Sequence, residues 1–245
     1  MRIIGHGLIV LALTVLTQLG GLAWLVALRF RRRLAAFAVV YAALWGAAQV
    51  GAPLLGRVPL PCGGETLRMQ SPLYCAMLRN FVTPDLLAVA QEAADRVAAE
   101  FPGTVTLALD GGFPFLDGMP LVPHLSHGDD EKLDFAFYYR DEAGYLAGRT
   151  ASWLGYFAFE RGAETCPPAW ATLRWDMGWF QPLVRDLELE PERTAALIRA
   201  LAADPRVAKV FVEPPLAARL GLAGDKLRFQ GCRAARHDDH VHIQL

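Results

Sequence analysis

The apolar positions of this 245-residue chain crowd toward its start. Ile3 to Leu28 is apolar apart from His6, Thr14, Thr17 and Gln18, and Leu34 to Leu55 is a second such run. At 1.5 Å per helical residue each is long enough to cross about 30 Å of hydrocarbon. Between them Arg29, Arg31, Arg32 and Arg33 form a short basic loop that the positive-inside rule places in the cytoplasm. Two transmembrane helices are therefore expected over residues 1–56, with both ends outside. A cleaved signal peptide has an apolar core of only about 7 to 15 residues, and a buried hairpin of a soluble protein would keep a polar face that these runs lack. His6 and Gln18 read as polar residues tolerated near an interface or between helices rather than as a conduction path.

Beyond a linker over residues 57–75, residues 76–245 carry shorter periodic segments. Thr83 caps a helix with Pro84 at its first position, and Leu86, Ala90, Ala93, Val97 and Phe101 give it one apolar face, ended by Pro102-Gly103. Thr104 to Asp110 alternates as a strand broken by Asp110-Gly-Gly. That triplet lacks the Lys-Ser/Thr of a phosphate loop, so it reads as a turn. Phe135 to Tyr139 is a buried aromatic strand. Pro191 to Ala203 and Pro214 to Leu222 read as helices, and Ala208 to Val212 and Lys226 to Gln230 as strands. This succession predicts an α+β domain, an antiparallel sheet with flanking helices.

Cysteine usage supports an exterior domain. Cys62, Cys75, Cys166 and Cys232 all follow the second apolar run, where an oxidising compartment preserves disulfides. Proximity favours pairing Cys62 with Cys75, leaving Cys166 with Cys232; buried free thiols are the alternative. A net charge of −1 with no basic stripe excludes nucleic acid as an expected partner.

The chemistry is concentrated at the C-terminus. His237, His240 and His242 fall within six positions, and on a strand His240 and His242 share a face. The matching half is Pro123 to Asp134, which contains His124, His127, Asp129, Asp130, Glu131 and Asp134. A histidine, a polar turn and an aspartate entering a strand can aim His127 and Asp134 at one point. With His242 they would make two imidazoles and a carboxylate, a set suited to a catalytic Zn2+ that keeps one position for water. His124 and Glu131 repeat the same seven-residue step; Asp134 abuts the strand whereas Glu131 lies in the turn, which favours the His127–Asp134 pair.

The His-x-Ser-His start, the step from His127 to Asp134 ahead of an aromatic strand, and the terminal His-x-x-His-x-His resemble the penicillin-insensitive murein endopeptidases. These belong with lysostaphin, the D-Ala-D-Ala carboxypeptidases and the hedgehog fold among zinc peptidases. The likeness runs over residues 76–245 and takes in Trp175-Asp-Met-Gly-Trp179 and Val207 to Glu213. It implies a hedgehog-like fold with His127, Asp134 and His242 as zinc ligands and His240 or His237 as catalytic base. It further implies a membrane-anchored endopeptidase at the periplasmic or extracellular side of the cytoplasmic membrane, acting on peptidoglycan peptides. This chain departs from that pattern where Gly128 directly follows the ligand histidine and where Arg236 precedes the terminal cluster. A carboxypeptidase trimming terminal D-Ala, or a module binding wall peptides or a partner without turnover, are the alternatives.

Trp175, Trp179, Phe180 and Tyr156 would line a substrate groove or fill a core. Arg233 and Arg236 would meet a substrate carboxylate or solvent. Asp238 and Asp239 would orient an imidazole through its second nitrogen.

Overall fold

The structure, a computed structural model, describes residues 2–122, 127–160, 166–167, 172–175 and 177–245. In it the first apolar run is not one helix. It forms α1 (Arg2–Thr17) and α2 (Gly20–Ala27), while the second forms α3 (Arg33–Gly51). Gln18 takes a left-handed φ of 62°, and Thr17 Oγ1 accepts the Gly20 N–H at 2.8 Å. The chain reverses there, so the His6 and Trp24 rings lie 6.0 Å apart, and His6 Nε2 is 3.2 Å from an Arg33 guanidinium nitrogen. Glycine permits the close approach: a Cβ on Gly21 would stand 1.9 Å from Thr14 Oγ1. The turn is bound from outside, because Gln18 Oε1 accepts the Phe115 N–H at 2.9 Å and its Nε2 donates to the Leu116 carbonyl at 3.2 Å. Two spanning helices were expected; among the described residues α3 alone is long and apolar enough to cross a membrane.

The expected linker is part of the folded domain. Residues 57–75 contribute β1 (Val58–Pro59), β2 (Leu67–Met69) and most of α4 (Pro72–Ala76), and β1 pairs with β3 (Phe81–Val82). The helix α5 (Pro84–Glu100) starts as its sequence dictates, with Thr83 Oγ1 accepting the Leu86 N–H, and it buries Leu86, Ala90, Ala93 and Val97. There follow β4 (Thr106–Ala108), β5 (Lys132–Ala136), β6 (Tyr139–Asp141), β7 (Gly144–Tyr145), β8 (Glu188–Leu189), α6 (Pro191–Ala203), β9 (Lys209–Phe211), α7 (Pro214–Arg219), β10 (Leu227–Arg228) and β11 (His240–Gln244).

Six strands form the main sheet in the order β10-β9-β11-β5-β4-β2, and β7-β6-β8 form a smaller one. The main sheet is mixed rather than antiparallel. Its four central strands run antiparallel, while β2 pairs parallel to β4 and β10 parallel to β9. Each parallel pair is joined through a helix, α5 or α7, and such a crossover returns the chain in its original direction. Helices α5 and α6 pack on each other and against β2 and β9. Their core takes in Val241 and Ile243 of β11, so alternation turns His240 and His242 to the opposite face. Both cysteine pairs are joined, Cys62 to Cys75 and Cys166 to Cys232.

Candidate metal centre

Strand register builds the centre. In the antiparallel pair β5–β11, His242 lies opposite Asp134 and His240 opposite Ala136; across β9, His242 faces Phe211. Opposed residues on one face have Cβ atoms about 5 Å apart, close enough for an imidazole and a carboxylate to meet. His242 Nδ1 is 2.7 Å from Asp134 Oδ1. His127 arrives from the loop before β5, with Nε2 3.2 Å from both His242 Nδ1 and Asp134 Oδ2. All three side chains are buried.

These separations suit a metal. Two imidazole nitrogens and a carboxylate oxygen aimed at one point need shared protons or a cation between them, and one ligand atom from each of the three lies within 4.8 Å of the others. A tetrahedron with metal–ligand bonds of about 2.0–2.1 Å has edges of roughly 3.3 Å, close to what is found. His127, Asp134 and His242 thus form a buried group that can hold a metal ion.

The surrounding contacts set which ring nitrogens face the centre. His127 Nδ1 donates to the Gly111 carbonyl at 3.0 Å, leaving Nε2 to point inward. His242 turns Nδ1 inward, and its Nε2 lies 3.2 Å from the Gln244 amide nitrogen; with that amide turned round, the Gln244 oxygen would accept the Nε2 proton and free the Nδ1 lone pair for a metal. Burial lowers the His242 pKa to about 4 against the pull of Asp134, so the ring is neutral at pH 7. Burial opposes protonation of His127 too, but Asp134 holds its pKa above the usual value.

Asp134 is itself held. The Tyr156 hydroxyl donates to its Oδ2 at 2.7 Å and accepts the Asp110 N–H at 3.1 Å. Burial and the two carboxylates push the Tyr156 pKa up, which keeps the phenol a donor. Asp110 is clasped by Arg79 through bonds of 2.6 and 2.7 Å. The Asp110-Gly-Gly turn is thus a structural element of the centre: Gly111 supplies a carbonyl to His127, and a Cβ on Gly112 would stand 1.7 Å from Asp130 Oδ1.

His240 and His237 come to the same place. His240 Nε2 is 3.8 Å from Asp134 Oδ1, and its Nδ1 donates to Asp239 Oδ1 at 2.5 Å. Burial opposes its positive charge, but Asp239 and Asp134 overcome that and set the pKa at about 9. Asp239 also accepts the backbone N–H of Phe157, a residue with a left-handed φ of 66°. The His237 ring centroid lies 4.9 Å from that of His240 and 5.5 Å from that of His242.

No protein-family model and no curated protein matches this chain. The geometry of the site and the motif likeness are what remain to read its chemistry from.

All five expected site residues converge. His124, the competing ligand, lies outside the described residues, and Glu131 is not part of the cluster. Asp239 orients His240, as a neighbouring carboxylate was expected to; Asp238 instead takes both arms of Arg236, which removes that arginine as an unpaired substrate contact. Of the aromatics considered for a groove, Tyr156 and Phe180 are buried, while Trp175 and Trp179 are exposed. Tyr156, Asp110 and Gln244 were not anticipated in their present roles. The only trace of them in the sequence is position: Asp110 ends a strand, and Gln244 follows His242 at the strand period.

Proposed function

We propose that this protein is a membrane-attached, zinc-dependent peptidoglycan endopeptidase that hydrolyses peptide cross-links of the cell wall. The observation that carries the reading is the convergence of His127, Asp134 and His242 with His240 3.8 Å from the shared carboxylate. That is a three-ligand metal set with an acid–base group beside it, and the motif likeness to murein endopeptidases supplies the substrate class.

Zinc bound by these three residues would supply Lewis acidity, acidifying a water and polarising a carbonyl. The chain's own groups handle the proton. A cation held by Asp134 would cancel that carboxylate's pull on His240, whose Nε2 would then be free to take the proton from the attacking water and deliver it to the leaving amine nitrogen, while Asp239 fixes the ring through Nδ1. His237 either shares this task or meets the developing oxyanion. Tyr156 and Arg79–Asp110 hold Asp134 and the Asp110 turn in place without touching substrate.

Membrane attachment rests on α3, of which only Ala48 is buried, with Val39 and Val50 about 70% exposed. A core helix of a soluble protein would bury such residues. The arginines at its start favour a cytoplasmic position for that end, and the two disulfides suit an exterior compartment for the rest of the chain.

The test is digestion of defined cross-linked muropeptide dimers by the full-length, metal-replete protein in detergent, with products read by mass spectrometry. Monomers should form, and should vanish with a chelator and with His240→Ala. Loss of a single terminal alanine would make the protein a carboxypeptidase. No cleavage by folded, metal-loaded protein would overturn the peptidase reading.

A further inference from the structure

Outside the metal centre, a cavity of about 420 Å3 is lined by Arg68, Arg149 and Arg185 together with Gln70, Thr150 and Trp153, and among the described residues by no acidic one. Elsewhere the protein pairs its sequestered guanidiniums: Arg79, Arg174 and Arg236 each grip a carboxylate with two arms. Among the described residues, none of the three cavity arginines has a carboxylate partner. One of them packs on a glycine: Gly148 has a left-handed φ of +64°, and the Arg68 guanidinium lies over the space a side chain would take there.

Gln70 stiffens one wall, its Nε2 donating to Thr150 Oγ1 and to the Trp153 carbonyl, while its Oε1 is enclosed by protein. What the cavity offers a ligand is three planar cationic forks, which match a carboxylate.

The cavity is also wired to the metal centre. The segment that lines it at Thr150 and Trp153 continues to Tyr156, whose hydroxyl holds Asp134, and Ser152 Oγ donates to the Tyr156 carbonyl at 2.5 Å. From residue 152 to 156 the backbone spans at most about 14 Å, comparable to a few residues of extended peptide.

We propose that this cavity is an anion subsite that takes a free carboxylate of the substrate peptide while its scissile amide lies at the metal centre. This rests on the peptidase reading above. Arg149 and Arg185 are exposed, so their substitution leaves the core intact.

The test is calorimetric titration of the full-length His240→Ala protein in detergent with a muropeptide bearing free carboxylates and with its amidated counterpart. The same titrations are repeated in a protein also carrying Arg149→Gln and Arg185→Gln. The free acid should bind at least tenfold more tightly than the amide, and the arginine substitutions should erase that difference. In the otherwise native protein the same two substitutions should raise KM at least tenfold and leave kcat unchanged. Equal affinity for acid and amide, or binding indifferent to the arginines, would overturn the proposal. So would tighter binding of inorganic phosphate than of the muropeptide. Cleavage by the native protein with arginine-independent binding would sink the subsite alone; arginine-dependent binding without any cleavage would sink the peptidase reading alone.

Discussion

Tyr156 shows how much of the centre depends on a residue that ligates nothing. Its hydroxyl is a hydrogen-bond donor to the Asp134 oxygen that lies 3.2 Å from His127. Tyr156→Phe keeps the ring and removes the bond, and it should weaken metal binding about 10- to 100-fold, as competition with a chromophoric chelator would measure. Asp130 makes a different prediction. Burial pushes its carboxyl up to about 7, although Arg57 Nε stands 2.6 Å away and pulls the other way. A folded pKa above the unfolded 3.8 means that the proton stabilises the fold. That contribution is whole below about pH 4 and is lost as pH rises through 7. Denaturant melts across this window should show a stability decline that Asp130→Asn reduces; the left-handed φ of 56° at this position is one asparagine accepts. The three candidate ligands were legible in the sequence because few residue types bind metals, and their spacing tells. Tyr156 and Asp110 were not, since a buried tyrosine and an aspartate in a turn look the same whether or not a carboxylate needs orienting.

Among the elements, β11 was the most readable, because alternation alone places His240 and His242 together and the buried Val241 and Ile243 opposite them. The sense of the outer strands was hidden: β2 and β10 are two or three residues long, and their direction follows from helical crossovers rather than from any periodicity of their own. The apolar pattern also gave no warning of the break in the first run, because a polar residue within it signals a turn only when something outside binds it. The bridge from Cys166 to Cys232 closes a separation of 66 residues and ends five positions before His237. Loop-closure entropy for such a bridge is about 4 kcal/mol. The Cys166→Ser, Cys232→Ser double variant should lose stability of that order in denaturant titration.

For the molecule as a whole, the proposed membrane attachment rests on α3. Ala43, exposed near its middle, is the place to test this. A lysine at the centre of a spanning helix costs about 2.5–3.5 kcal/mol, so Ala43→Lys should shift protein from the carbonate-resistant membrane fraction to the supernatant. An unchanged distribution would show that α3 is not the anchor.

The N-terminal helices are also fastened to the domain. Tyr41 donates to the Ala76 carbonyl at 2.7 Å, Trp45 to the Cys75 carbonyl at 2.8 Å, and Gln18, in the turn between α1 and α2, binds the backbone at Phe115 and Leu116 and the Met119 sulfur. Because two of these grips fall on the middle and later part of α3, helix and domain share a bracket rather than a leash: whatever surface α3 settles on also fixes which way the domain faces.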